Sequence, residues 1–150
     1  MRKGSFAVSA DQDSVVLDFD GRYRRRTMLF TENRRAVLLD LDEVTHMRDG
    51  DALVLTDGSL VLIAAQQEPL LEITAANPER LIVIAWHLGN RHLPVQFERA
   101  ALRIRADDVI AHMVRGLSGE VRALSAPFDP EGGAYGHAEA EPAPMTDEFA

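Results

Sequence analysis

Histidines at 46, 87, 92, 112 and 137 are the side chains of this sequence best suited to chemistry. Cysteine is absent from the 150 residues, which excludes disulfides, thiolate metal sites and a cysteine nucleophile. Any metal must therefore sit on imidazole and oxygen, donors that suit nickel, zinc and copper. His92 is the best placed. It lies in Trp86-His87-Leu88-Gly89-Asn90-Arg91-His92-Leu93-Pro94-Val95-Gln96, just past an apolar helical stretch and before a strand. His87 falls inside that helix. Its five-residue spacing from His92 is not the i, i+4 spacing of a chelating helical pair, so it reads as a packed helix residue. His46 follows Val44-Thr45 near a turn and reads as a surface residue. His112 lies four residues after Asp108 on one helix face, a spacing that serves a surface hydrogen bond or a weak metal contact. His137 belongs to Glu131-Gly132-Gly133-Ala134-Tyr135-Gly136-His137, where three glycines free the backbone to close over a metal held elsewhere. His92 and His137 are thus the candidate metal ligands, His137 reading equally as an ordinary histidine of a floppy tail, and His112 and Asp108 are the secondary candidates.

The elements that must position these residues fall into two groups, an α+β architecture. Residues 1–67 are expected to form an all-β barrel or sandwich-like domain. Its apolar runs are Val15–Phe19, Arg24–Phe30, Ala36–Leu41, Ala52–Leu55 and Leu60–Ala64, separated by turn chemistry such as Asp20-Gly21 and Asp57-Gly58. Ala65–Pro69 reads as a linker. Residues 68–128 change rhythm. A strand over Leu70–Thr74 precedes a helix that Asn77 caps and Pro78 begins, ending at Gly89-Asn90 as left-handed stops. Strands over Pro94–Glu98 and Ala101–Arg105 follow. Asp107 caps a second helix, Gly119 stops it, and Val121–Ala126 is the last strand. The order β-α-β-β-α-β is the ferredoxin-like pattern. Residues 129–150 hold Gly, Ala, Pro and acid with no Lys or Arg, and read as a weakly ordered tail.

The first helix carries the argument about assembly. Leu81, Ile84, Ala85 and Leu88 form one apolar stripe, and Ile82, Val83 and Trp86 make its other side apolar too. One side covers its own sheet, and the other needs a second domain or a second chain. If two copies pack across a two-fold axis, both copies of His92 lie near that axis. Two neutral imidazoles then share one divalent ion and leave other coordination positions open. Such a site is incomplete beside a four-ligand structural one and releases its ion readily, which suits delivery. A protonated imidazole cannot bind metal, so affinity is expected to fall as pH drops through the ordinary histidine range, about 6.5.

A formal charge of −8 and a pI near 5.0 work against phosphate binding. The basic run Arg22-Tyr23-Arg24-Arg25-Arg26 therefore reads as a solvated strand with a partner-binding role, its arginines within reach of Asp18 and Asp20. No Gly-rich phosphate loop, G-x-S-x-G elbow or H-E-x-x-H helix is present. Asp107-Asp108 suits a helix start better than a catalytic dyad. An enzyme is not expected. Neither a signal peptide nor a membrane-length apolar run is found, so the expected location is the cytoplasm.

His87-Leu88-Gly89-Asn90-Arg91-His92-Leu93-Pro94-Val95-Gln96 resembles the UreE family of nickel-carrying urease accessory proteins. So do Arg24-Arg25-Arg26, Leu39-Asp40-Leu41, Arg48-Asp49-Gly50-Asp51, Glu68-Pro69-Leu70-Leu71-Glu72-Ile73 and Gly132-Gly133-Ala134-Tyr135-Gly136-His137, in the family's order. The resemblance covers most of the chain up to about His137. It implies a peptide- or partner-binding N-terminal domain and a ferredoxin-like domain that forms a homodimer. It also implies one Ni²⁺ (Zn²⁺ or Cu²⁺ also binding) at the dimer interface, held by His92 of each chain with help from His137. The implied partners are the urease apoprotein and an accessory GTPase. Two departures bear on stoichiometry. The tail holds a single histidine, and Arg105-Ala106-Asp107-Asp108 stands where some members carry histidines, so extra storage sites are not expected. The competing readings are an assembly factor that binds a peptide strand with metal incidental, and an RNA-binding sheet. The second is poorly served by Phe97 as the lone aromatic on the two strands it would use. No membrane or nucleic-acid partner is expected.

Overall fold

The structure is a computed structural model that describes residues 1–5, 7 and 12–132. It is α+β and mostly strand, with two α-helices among the described residues. Residues 1–65 and residues 66–131 form separate compact units.

In the first unit, β1 (Ser14–Leu17), β5 (Leu60–Ala65) and β4 (Ala52–Val54) make one sheet, with β1 parallel and β4 antiparallel to β5. β2 (Tyr23–Phe30) and β3 (Ala36–His46) make a second, two-stranded sheet. Val15, Leu29, Leu39, Val61 and Ile63, drawn from both sheets, share one core with Met47. The unit is thus a sandwich whose sheets do not close, and the barrel alternative does not hold. A 3-10 turn at Asp20–Arg22 ends the first strand earlier than expected, with Asp18 accepting the Gly21 N–H at 2.7 Å. Arg22 corrects the reading of the basic run. It is fully buried, and its Nε donates to the Leu17 carbonyl, whereas Arg24, Arg25 and Arg26 are exposed. A register shift between Arg24 and Arg26 interrupts the pairing with β3.

In the second unit the order is β6 (Gln67–Ala75), α1 (Pro78–Asn90), β7 (Gln96–Glu98), β8 (Ala101–Arg105), α2 (Asp108–Gly116) and β9 (Gly119–Pro127). The strands lie in the order β7-β8-β6-β9, every neighbour antiparallel. β6 begins inside the expected linker, because Gln67, Glu68 and Pro69 all pair with β9. Leu71, Ile73, Leu102 and Ile104 point to one face, where Ile84 and Leu88 of α1 and Ile110, Ala111 and Val114 of α2 bury them. Both caps are as the sequence specifies: Asn77 accepts from Arg80 N at 2.8 Å and Asp107 from Ile110 N at 3.0 Å. Gly119 is not the stop of α2, which ends at Gly116 with Ser118 left-handed at φ 66°. It opens β9, and a Cβ there would lie 2.6 Å from Val114 Cγ1 and 2.8 Å from Ile84 Cδ1. Only glycine lets both helices sit this close to the strand. Chain order also continues past β9, since Asp129 and Glu131 are hydrogen-bonded to the start of β7. The weakly ordered tail therefore does not begin at Asp129.

Candidate metal centre

His92 owes its place to the way α1 ends. The helix runs through Gly89 and Asn90 instead of stopping at them. Arg91 is the C-cap, and His92 itself takes the left-handed conformation, φ 58°. His92 N bonds Gly89 O at 3.0 Å and Leu93 N bonds Leu88 O at 3.3 Å. These are the two bonds of a Schellman motif, in which the left-handed position usually belongs to glycine. Leu88 is buried and Leu93 packs against the same core, the apolar contact that accompanies the motif. The imidazole is exposed at the tip of this turn. A polar, exposed side chain thus occupies a backbone position that glycine would fill at lower cost.

The same end of the sheet holds the secondary candidates. Arg105 pairs with Leu70 near the start of β6, so α2 begins where α1 finishes. Leu93 and Pro94 share a cleft of about 310 Å³ with Arg105, Ala106, Asp107 and Ile110. Arg91 Nε lies 3.1 Å from Met113 Sδ, which ties the His92 turn to the middle of α2. Asp108 heads α2 and His112 stands one turn later, both exposed. Among the described residues, however, no three His, Asp or Glu side chains gather into a group that could hold a metal. His137 lies outside the described residues.

The other histidines have structural surroundings. His87 is half-buried on α1, its ring edge-on to Trp86 with centroids 5.0 Å apart. His46 corrects its reading as a surface residue. It is half-buried against Phe19 and Tyr23, with centroids at 5.4 and 5.9 Å. Sequence reasoning missed this trio because Phe19 is distant in the chain. It also missed the Arg91–Met113 contact, for which the sequence carries no signal.

Among the described residues, the outer side of α1 stays exposed. Ile82 is 68% and Trp86 62% exposed, and Val83 is exposed beside them. Beside Ile82 runs an apolar groove of about 420 Å³, lined also by Leu81, Ala85, Phe97 and Leu102. No helix among the described residues is long and apolar enough to cross a membrane.

Comparison with known proteins places this geometry in context. Residues 5–66 match the UreE urease accessory protein N-terminal domain, and residues 68–147 the C-terminal domain of the same family. A urease accessory protein UreE from Rhodopseudomonas palustris (strain HaA2) is 58% identical over 123 residues, covering 82% of this chain and 57% of that protein. One from Bradyrhizobium sp. (strain BTAi1) is 56% identical over 128 residues, 85% of this chain and 62% of its own length. One from Beijerinckia indica is 51% identical over 123 residues, 82% and 71% of the two chains. The chain thus spans about three fifths of the first two relatives. Its two halves match the two domains of accessory proteins, not enzymes, and the order and extent of those matches leave one conclusion: the chain belongs to the UreE urease accessory protein family.

Proposed function

We propose that this protein is a cytoplasmic nickel carrier for urease assembly. Two chains pair through the outer side of α1, and His92 from each donates an imidazole to one Ni²⁺ near the dyad. The observation that carries this reading is the exposed His92 imidazole at a left-handed helix end, on the helix whose outer apolar side is uncovered. Isologous pairing is what brings two copies of one residue to a shared point. The lack of a three-ligand group among the described residues fits a site completed only by a second chain. His137 is the further ligand we propose. Glu131 is bonded to Val95, three residues from His92, and the six residues from Glu131 to His137 reach at most about 20 Å. Residues 68–128 act as the metal and dimer domain and residues 1–67 as the partner-binding domain, toward the urease apoprotein and its accessory GTPase. Zn²⁺ and Cu²⁺ compete for the same imidazoles.

The test is calorimetry with Ni²⁺ together with light scattering. About one ion per dimer is expected for the wild type, and loss of that binding for His92→Ala. Undiminished binding in the variant overturns the site.

A second reading is supported by a groove of about 1080 Å³ in the first unit, flanked by residues 36–41 of β3, by β4 and by residues 55–57 that follow it. Both strands lie at sheet edges, and an extended peptide is recognised by pairing along such edges. In that reading the protein is an assembly factor to which metal is incidental, and capture of urease components is unchanged by nickel or by His92→Ala.

A further inference from the structure

β9 and β7 are opposite edges of the four-stranded sheet. The chain nevertheless passes from one to the other directly after β9. Phe128 is fully buried and Pro130 is buried. Asp129 N–H donates to Gln96 Oε1 at 2.8 Å, and Glu131 N–H donates to the Val95 carbonyl at 2.8 Å. The lateral separation alone is three inter-strand steps of roughly 4.8 Å, about 14 Å, and four residues at roughly 3.4 Å each reach no further, so Phe128–Glu131 crosses with little slack.

The bonds land on the connector that carries His92. Its near end is fixed by the Schellman bonds and by Arg91 against Met113. Val95 and Gln96 are its far end. Gln96 is itself oriented, its Nε2 donating to Glu98 Oε1 at 2.6 Å, which leaves Oε1 to accept from Asp129. A connector pinned at both ends has few ways to move its tip.

We propose that Phe128–Glu131 is a strap that positions His92, holding its turn in the left-handed geometry in which two copies meet one ion. This rests on the reading of His92 as a metal ligand. Gln96 and the Glu131 amide are positioning groups: neither touches the metal, and both act through the connector.

The experiment uses the full chain with Ni²⁺ as the probe. Gln96→Ala removes one acceptor and Glu131→Pro removes one donor, both at sites that are not fully buried. Each is expected to weaken Ni²⁺ binding about tenfold, the lower end for lost outer-shell support, with little change in Tm. Without metal, each is expected to speed hydrogen exchange of the His92 and Leu93 amides. The exchanged pair Gln96→Glu with Glu98→Gln keeps an acceptor for Asp129 and a donor between the two side chains, and is expected to restore affinity. The loss is also expected to persist in a His137→Ala background. Full affinity and unchanged exchange in both strap variants overturn the proposal, as does a loss that vanishes once His137 is gone. Intact binding in His92→Ala strikes the metal site itself, so the two failures are told apart.

Discussion

His92 pays a conformational cost that its neighbours do not share. A non-glycine residue in the left-handed region costs about 1–2 kcal/mol, part of which glycine would return as lost chain entropy. His92→Gly is therefore expected to raise stability by about 0.5–1 kcal/mol, roughly 1–4 °C in Tm for a chain of this size, while abolishing nickel binding. Thermal unfolding with calorimetry checks both halves. A variant that loses stability shows that the imidazole is packed, contrary to its exposure. The histidine itself was legible in the sequence from its place after an apolar helix. Its backbone was not, because Gly89 and Asn90 are better left-handed residues, and only core contacts of Leu88 and Leu93 decide where the turn falls.

At the level of elements, α1, α2 and their caps were legible because Asn77-Pro78 and Asp107 are local signals with local partners. The start of β6 and the role of Gly119 were not, since both depend on residues far away in sequence, Pro127 opposite Gln67 and Ile84 against Gly119. Gly119→Ala is expected to cost about 1–3 kcal/mol by pushing α1 and α2 off β9, read as a lower denaturant midpoint with unchanged slope. The opposite face of the sheet carries an ion-pair cluster. Glu72 of β6 stands in register with Arg103 of β8 and Arg122 of β9 and bonds both, at 3.1 and 2.8 Å. The hydrogen bond from Arg122, then that from Arg103, holds its carboxyl below the usual 4.5 despite some opposing desolvation. A lowered folded-state pKa adds stability that is complete above the unfolded value and is lost as pH falls through the folded one. Unfolding of the wild type is thus expected to steepen below about pH 4.5, and Glu72→Gln to flatten that limb. Identical acid limbs in the two proteins would remove this carboxylate as a cause.

For the whole molecule, the telling surface is the outer side of α1, exposed among the described residues and apolar over Ile82, Val83 and Trp86. Trp86→Asp is expected to convert the proposed dimer to a 16.6 kDa monomer in light scattering and to abolish the shared nickel binding proposed above. A dimer that survives the change moves the interface elsewhere. From the sequence, a helix apolar almost all round is expected to need a cover on this side too, but periodicity does not name the cover. The sheet order has a further bearing, on how the molecule comes into being. β6, the first strand of its unit, pairs along one whole edge with β9, the last. A nascent chain that has emerged only as far as α2 presents that edge unpaired, with nine residues of ladder open. Synthesis halted before Gly119 therefore yields a species prone to stick to other strands, and the final stretch of translation is the step that seals it.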